Sequence, residues 1–245
     1  MNFHVFHTVN SGLYFYDDEY GILIDALHQM EDGFSSTLTD FFNRLMTRSD
    51  IFAKPIDLLF THLHSHNFSP VHVRQVMEAF PETNIYAPGL LETTMHEKFV
   101  RMGVVQLAFS QFAITPFSTK HYGMVHEDVP HTAYCLNMNG HQHFVCGDAL
   151  LDSTLASKVL YACPGNFDAV YLTVSQLSTN DGEAFLKMLR PRRIFLYQLP
   201  FPVDDVHGYT HTASNIATCQ SARLRVPVTI LHPCSQFLFE AERYI

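Results

Sequence analysis

One stretch constrains this chain more than any other: the apolar run Ile56-Asp57-Leu58-Leu59-Phe60, then Thr61-His62-Leu63-His64-Ser65-His66-Asn67, then Ser69-Pro70. The apolar run reads as a buried strand, and Ser69-Pro70 supplies a helix N-cap followed by proline at the first helical position. Val73, Val76, Met77 and Phe80 then recur at the spacing of one buried helical face. The histidines therefore fall in a tight loop between the carboxyl end of a strand and the amino end of a helix. That position is the favoured ligand crevice of layered α/β folds. In a chain with 16 His a lone imidazole is most often a surface or core residue, but three at alternate positions can converge on a metal ion. His62 and His64 are the first expected ligands.

The length of 245 residues suits one domain over residues 1–245, and 47% hydrophobic with 16% charged residues suits a compact enzyme-like globule. A formal charge of −9 offers no basic stripe for nucleic acid or for an anionic membrane, so neither partner is expected and a small-molecule substrate is. The five cysteines, Cys135, Cys146, Cys163, Cys219 and Cys234, contain no CxxC pair and leave an odd count. They indicate neither a disulfide framework nor a zinc ribbon, and free thiols in a reducing cytoplasm are the expectation. The start of the chain has no basic region before an apolar core, and no run reaches the roughly 18 apolar residues of a membrane span. A soluble cytoplasmic protein is expected.

Along the chain, strand signals at Phe3 to Phe6, Gly12 to Tyr16 and Gly21 to Asp25 suggest an antiparallel opening. A helix is expected from Leu38 to Met46, a strand from Asn84 to Ala87, a short helix from Leu90 to Met95 and an extended segment from Phe112 to Phe117. Thr132 to Met138 and His143 to Cys146 should pair across Asn139-Gly140, a strong two-residue hairpin signal. Helices at Ser153 to Tyr161, Gly182 to Arg190 and Thr212 to Ala222 should alternate with strands at Ala169 to Val174, Arg193 to Leu199 and Val226 to Leu231. Strands that run first and then alternate with helices suggest an α/β (α+β) fold in two similar halves, a four-layer αββα sandwich of two mixed sheets packed face to face with helices outside.

A hydrolytic metal site needs imidazoles, a carboxylate that lowers the charge of the ion, and an open position for water. His121 follows the extended Phe117-Ser118-Thr119-Lys120, and Asp148 follows the hairpin in Cys146-Gly147-Asp148-Ala149. Glycine before that aspartate lets the backbone approach an ion closely. Asp25, at the end of an early strand, could accept a hydrogen bond from a ligand imidazole or simply cap a turn.

With these residues the chain resembles the metallo-β-lactamase-fold metallo-hydrolase superfamily over nearly its whole length. Ile22-Leu23-Ile24-Asp25 looks like the early strand with its aspartate, and Thr61-His62-Leu63-His64 matches the first half of the THxHxDH hallmark. Thr119-Lys120-His121 looks like the third-histidine segment, and Gly147-Asp148 matches the metal-bridging aspartate. The resemblance implies that His62, His64, His121 and Asp148 bind a divalent metal, with zinc expected and manganese or iron as alternatives. It also implies a homodimer, since related proteins are often dimers.

The chain departs from the family at three positions, all on one ion. His66-Asn67 stands where the family has Asp-His, and Gln198 stands where it has the late histidine. Asn and Gln amides are weak zinc ligands, so the second site is degenerate and one ion is expected rather than two. Loss of the aspartate removes a group that orients and deprotonates water, a penalty of roughly 10²- to 10⁴-fold. His66 is the candidate to replace it as base, with Asp148 as the other catalytic residue, or to help bind a second ion.

His131 is the alternative to His121 as third ligand, and His126 a weaker one. His141 and His143 alternate on the hairpin and are expected to be solvated. His207 and His211 have i, i+4 spacing but lack the glutamate of the helical zinc-protease motif. Nothing in the spacing of His232 or Asp204-Asp205 marks them as pocket residues. Cys146 reads as a buried strand residue rather than a nucleophile. The expected function is hydrolysis of an ester or phosphodiester-type bond by metal-activated water. The alternative is a catalytically silent protein of the same fold acting as a ligand-binding or structural module.

Overall fold

The computed structural model describes residues 2–31, 33–88, 107–109, 112–123 and 128–240. The chain forms two compact units: Met1–Arg101, Leu199–His207 and His232–Ile245 make the first, Met102–Gln198 and Gly208–Leu231 the second.

In the first unit, β1 (Phe3–His7), β2 (Leu13–Tyr16) and β3 (Gly21–Ile24) form the antiparallel opening read from the sequence. Helix α1 (Thr39–Met46) leads to β4 (Ile56–Leu59), parallel to β3; helix α2 (Pro70–Ala79) leads to β5 (Ile85–Tyr86), parallel to β4. Parallel pairing needs a crossover, and the two helices supply it. The last strand of the chain, β13 (Gln236–Phe239), pairs antiparallel with β1 and completes a six-stranded mixed sheet in the order β13-β1-β2-β3-β4-β5. The apolar face read for α2 is real: Val73 and Val76 are buried in one cluster with Leu23, Leu58, Phe60 and Ile85. Phe52 is fully buried in the same cluster, stacked on Tyr14 at 5.0 Å and edge-on to Phe41 at 5.3 Å.

In the second unit, β6 (Leu107–Phe109), β7 (Phe112–Thr119), β8 (His131–Met138) and β9 (His141–Val145) form an antiparallel run. Asn139 and Gly140 turn the β8–β9 hairpin with φ of 54° and 85°, the left-handed pair that a two-residue turn of this type requires. Helices α3 (Ser153–Ala162), α4 (Val174–Leu177), α5 (Asn180–Leu189) and α6 (Tyr209–Leu224) alternate with the parallel strands β10 (Ala169–Leu172), β11 (Ile194–Leu196) and β12 (Val228–Ile230). The sheet has seven strands in the order β12-β11-β10-β9-β8-β7-β6.

Several boundaries differ from the sequence reading. Val174 begins α4 instead of ending β10, because Thr173 and Gln176 close a reciprocal capping box. Strand β11 stops at Leu196, and two residues later Gln198 turns the backbone left-handed at φ 64°. His141 and His143 are buried, not solvated: the His143 ring pairs with the Tyr171 hydroxyl at 3.0 Å, and His141 lies 3.5 Å from Asp168. Their hairpin is an interior strand pair, since β10 covers the other edge of β9. The expected helix at Leu90 to Met95 and His126 lie outside the described residues. Among the described residues, no helix is long and apolar enough to cross a membrane.

Candidate metal centre

In the first unit, β4 delivers the chain into the histidine loop, and the backbone of that loop is closed on itself. His64 carbonyl accepts from the amides of Asn67 and Phe68 at 2.9 and 2.8 Å, and Ser69 N–H donates to Leu27 at 2.7 Å. The turn brings three imidazoles together. Ring centroids are 4.6 Å apart for His62 and His64, 5.9 Å for His62 and His66, and 5.6 Å for His64 and His66. A donor atom of His62 lies within 4.8 Å of one on His64 and of one on His66.

Asp25 organises the start of this loop. It is fully buried at φ 50°, and its carboxylate accepts from the Thr61 amide at 2.8 Å, the Thr61 hydroxyl at 2.6 Å and the Asn67 side-chain amide at 3.2 Å. Because the Thr61 hydroxyl donates to Asp25, its oxygen accepts from His62 Nδ1 at 3.0 Å. The proton of His62 is thereby assigned to Nδ1, and Nε2 carries the lone pair a metal needs. Asp25 thus reaches His62 through Thr61.

Glu31 completes this half, and no sequence signal pointed to it. Its carboxylate accepts from Ser65 Oγ at 2.5 Å and from His66 Nδ1 at 2.8 Å, while Phe34 stacks on the His66 ring at 4.9 Å. The Ser65 hydrogen bond, followed by that of His66, holds the Glu31 carboxyl below its ordinary value against the opposing effect of burial. With Nδ1 donating to Glu31, His66 presents Nε2 as an acceptor. Asn67 is fully buried; its amide nitrogen is committed to Asp25, and its Oδ1 has no hydrogen-bond partner among the described residues.

The second unit carries the other expected residues. Segment 120–122 is tied to segment 148–150 by Tyr122 N–H to Asp148 at 2.6 Å, Leu150 N–H to Lys120 at 2.8 Å and a bridge between His121 and Ala149. His121 Nδ1 donates to the Tyr122 carbonyl at 2.6 Å, which leaves Nε2 to face Asp148 Oδ2 at 3.8 Å. That gap is too long for a hydrogen bond and near the roughly 3.4 Å that separates two donors on one tetrahedral zinc ion. Gly147, at φ 55°, sets the turn that presents Asp148.

Two more expected residues surround Asp148. His131 Nε2 accepts the Asp148 backbone N–H at 3.0 Å, and Gln198 Nε2 donates to Asp148 Oδ2 at 3.3 Å. His131 therefore touches the backbone of the aspartate, and Gln198 its carboxylate. His207, His211 and His232 are exposed, and His211 pairs within its own helix with Asn215 at 3.2 Å. Asp204 accepts from Ser35 Oγ at 2.6 Å. Cys146 is fully buried, and burial pushes its thiol above the ordinary range.

The donor chemistry of each unit fits a divalent ion: neutral imidazoles with assigned Nε2 lone pairs in one, an imidazole beside a carboxylate in the other. The site is histidine-rich and consistent with such an ion.

No family model matches the sequence, and no curated protein matches it. Solved structures do. Igni18, a novel metallo hydrolase from the hyperthermophilic archaeon Ignicoccus hospitalis, superposes with a TM-score of 0.65 at 13% identity, over 98% of this chain and 99% of that one. The metallo-beta-lactamase fold protein YhfI from Bacillus subtilis gives 0.66 at 13% identity, over 97% and 99%. A possible metal-dependent hydrolase from Veillonella parvula gives 0.66 at 11%, over 96% and 98%. At such identities the likeness shows the fold alone. The chain has the αββα metallo-β-lactamase fold, the class expected from its sequence.

Proposed function

We propose that this protein is a metal-dependent hydrolase in which His62, His64, His121 and Asp148 hold one divalent ion, zinc being the expected metal. The observation that carries the reading is the hydrogen bonding behind the imidazoles: His62 and His121 both have Nδ1 bound elsewhere, which turns Nε2 into the donor atom. Free surface histidines have no such constraint. Structural neighbours described as a metallo hydrolase and a possible metal-dependent hydrolase support the same class. When bound, the ion would acidify a water and polarise an ester or phosphodiester-type bond of a small-molecule substrate.

The protein's own residues then divide the work. Asp25, through Thr61, fixes the His62 tautomer. His131 fixes the Asp148 backbone, and His121 rather than His131 is the third ligand, because His131 Nε2 already accepts an amide proton. His66, oriented by Glu31, is the general base that takes a proton from the attacking water, in place of the family's aspartate. Asn67 and Gln198 offer only neutral amides, weak ligands for zinc beside imidazole or carboxylate, which favours one ion over two.

The weak donors at positions 67 and 198 also favour a second reading, a catalytically silent ligand-binding or structural module. One experiment separates the two. Freshly purified protein is assayed for metal by elemental analysis and for turnover of a model phosphodiester and a model ester, beside a His62→Ala control. The hydrolase reading expects near-stoichiometric metal and turnover that the control abolishes; full metal occupancy with no turnover above the control overturns it. Converting His66→Asp, Asn67→His and Gln198→His together should create hydrolysis if the protein is silent, and should damage an existing activity if it is not.

A further inference from the structure

Away from the histidines, the second unit brings two cysteines together that are far apart in sequence. Cys135 lies on β8 opposite Thr115 of β7, and Cys163 is the residue that ends α3. Each thiol is the first cause of the shift of the other, and the Thr115 side chain acts on Cys163 as well. Both cysteines and Thr115 line a cavity of about 270 Å³, together with Asn137, Gln142 and Pro164. Cys163 is the more accessible of the pair, at 7% exposure against 2% for Cys135.

This is an uneven pair. A hydrogen bond from the Cys135 thiol is the largest effect lowering Cys163 below the ordinary thiol range, and the Thr115 hydroxyl adds to it while burial opposes it. The same contact, with burial, holds Cys135 far above that range. The thiolate form is thus favoured at Cys163 and disfavoured at Cys135, and the thiolate is the stronger nucleophile. Cys146, by contrast, is wholly buried, and Cys219 and Cys234 are exposed.

We propose that this cavity is a two-cysteine oxidation site, with Cys163 as the residue that reacts with a small hydroperoxide and Cys135 as the residue that resolves it. In the first step the Cys163 sulfur attacks one peroxide oxygen, the O–O bond breaks, and hydroxide leaves from hydrogen peroxide as the thiolate becomes a sulfenic acid. In the second, the Cys135 sulfur attacks the Cys163 sulfur, an S–S bond forms, and the sulfenic oxygen leaves as water with the Cys135 proton. Two electrons pass from the thiol pair to the peroxide. The proposal uses none of the histidine site and stands or falls without it.

The test uses the reduced full-length chain, treated with one equivalent of hydrogen peroxide, alkylated, digested without reductant and mapped by mass spectrometry. The Cys135–Cys163 peptide should be the main oxidised product, with the titratable thiols falling from five to three. In Cys135→Ser, where serine retains the donor, a dimedone adduct should form on Cys163 about 10-fold faster than on Cys219. Oxidation of Cys219 or Cys234 while Cys135 and Cys163 stay reduced overturns the proposal, as does a Cys163 that is labelled no faster than Cys219. The mapping of the unsubstituted chain decides the matter even if the variant does not fold.

Discussion

Thr61 shows how one hydroxyl can govern a proposed metal ligand. It donates to Asp25 and accepts from His62, so the imidazole proton sits on Nδ1. Thr61→Val keeps the shape and the backbone bond to Asp25 but removes this relay, and metal affinity should fall roughly 10- to 100-fold, measured by competition with a chromogenic chelator. On the base side, Glu31→Gln should lower kcat at unchanged metal content, since the Glu31 carboxylate hydrogen-bonds Ser65 and His66. His66→Ala should lose roughly 10²- to 10⁴-fold in kcat.

A buried histidine sets a pH dependence at the same scale. His28 is fully buried, and burial pushes its imidazole down to about 4 from the ordinary 6.5. A depressed folded-state value means the neutral form is favoured, so its stabilisation is complete above pH 6.5 and is lost as pH falls toward 4. Between about pH 7.5 and about pH 4.5 this one residue should cost roughly 2 to 3 kcal/mol in urea unfolding. His28→Asn should flatten that part of the profile relative to the unsubstituted protein.

Among elements, the helix starts separate local signals by strength. Ser69 caps α2 through a long contact of 3.4 Å to His72 N–H, whereas Asp152 caps α3 through 2.7 Å to Leu155 N–H. Ser69→Ala should therefore cost about 0.5 kcal/mol and Asp152→Ala at least twice that, read from denaturant midpoints. Gly182, in the first turn of α5, is a sharper case: a Cβ there would meet the Gln176 carbonyl oxygen at 2.0 Å and Thr179 Oγ at 3.0 Å. No flexible side chain can yield at that carbonyl, and Gly182→Ala should cost several kcal/mol, about the upper range for overpacking.

Most of these elements were legible because their signals are local. Asn139-Gly140 specifies its hairpin by backbone conformation, and the α2 face follows from apolar spacing. The failures share a cause as well. β13 has no distinguishing pattern, with exposed and buried residues mixed along it, and exists because β1 offers an edge. The burial of His141 and His143 comes from β10 lying beside β9, a pairing between segments that the sequence does not mark.

For the molecule as a whole, the proposed ion predicts a linkage between metal and stability. A ligand at 100 times its Kd stabilises a folded protein by about 2.7 kcal/mol, so chelation should lower the melting temperature by roughly 5 to 10 °C in a chain of this size, with full recovery on adding zinc. The His62→Ala variant should melt at the same temperature with and without chelator. A melting curve that ignores chelation in the unsubstituted chain would remove the ion from the account.

What the sequence by itself determined was a strand, a histidine turn and a capped helix, with Asp148 after a second turn, because spacing and turn chemistry act within a few residues. What only the tertiary structure decided was which partner His62, His66 and His121 each meet through Nδ1. Asp25, Glu31 and Tyr171 reach their histidine loop or ring across more than 25 residues of chain, through sheet pairing and loop closure. A hydrogen bond acts over about 3 Å, so such partners are set by how strands lie side by side and not by distance along the chain.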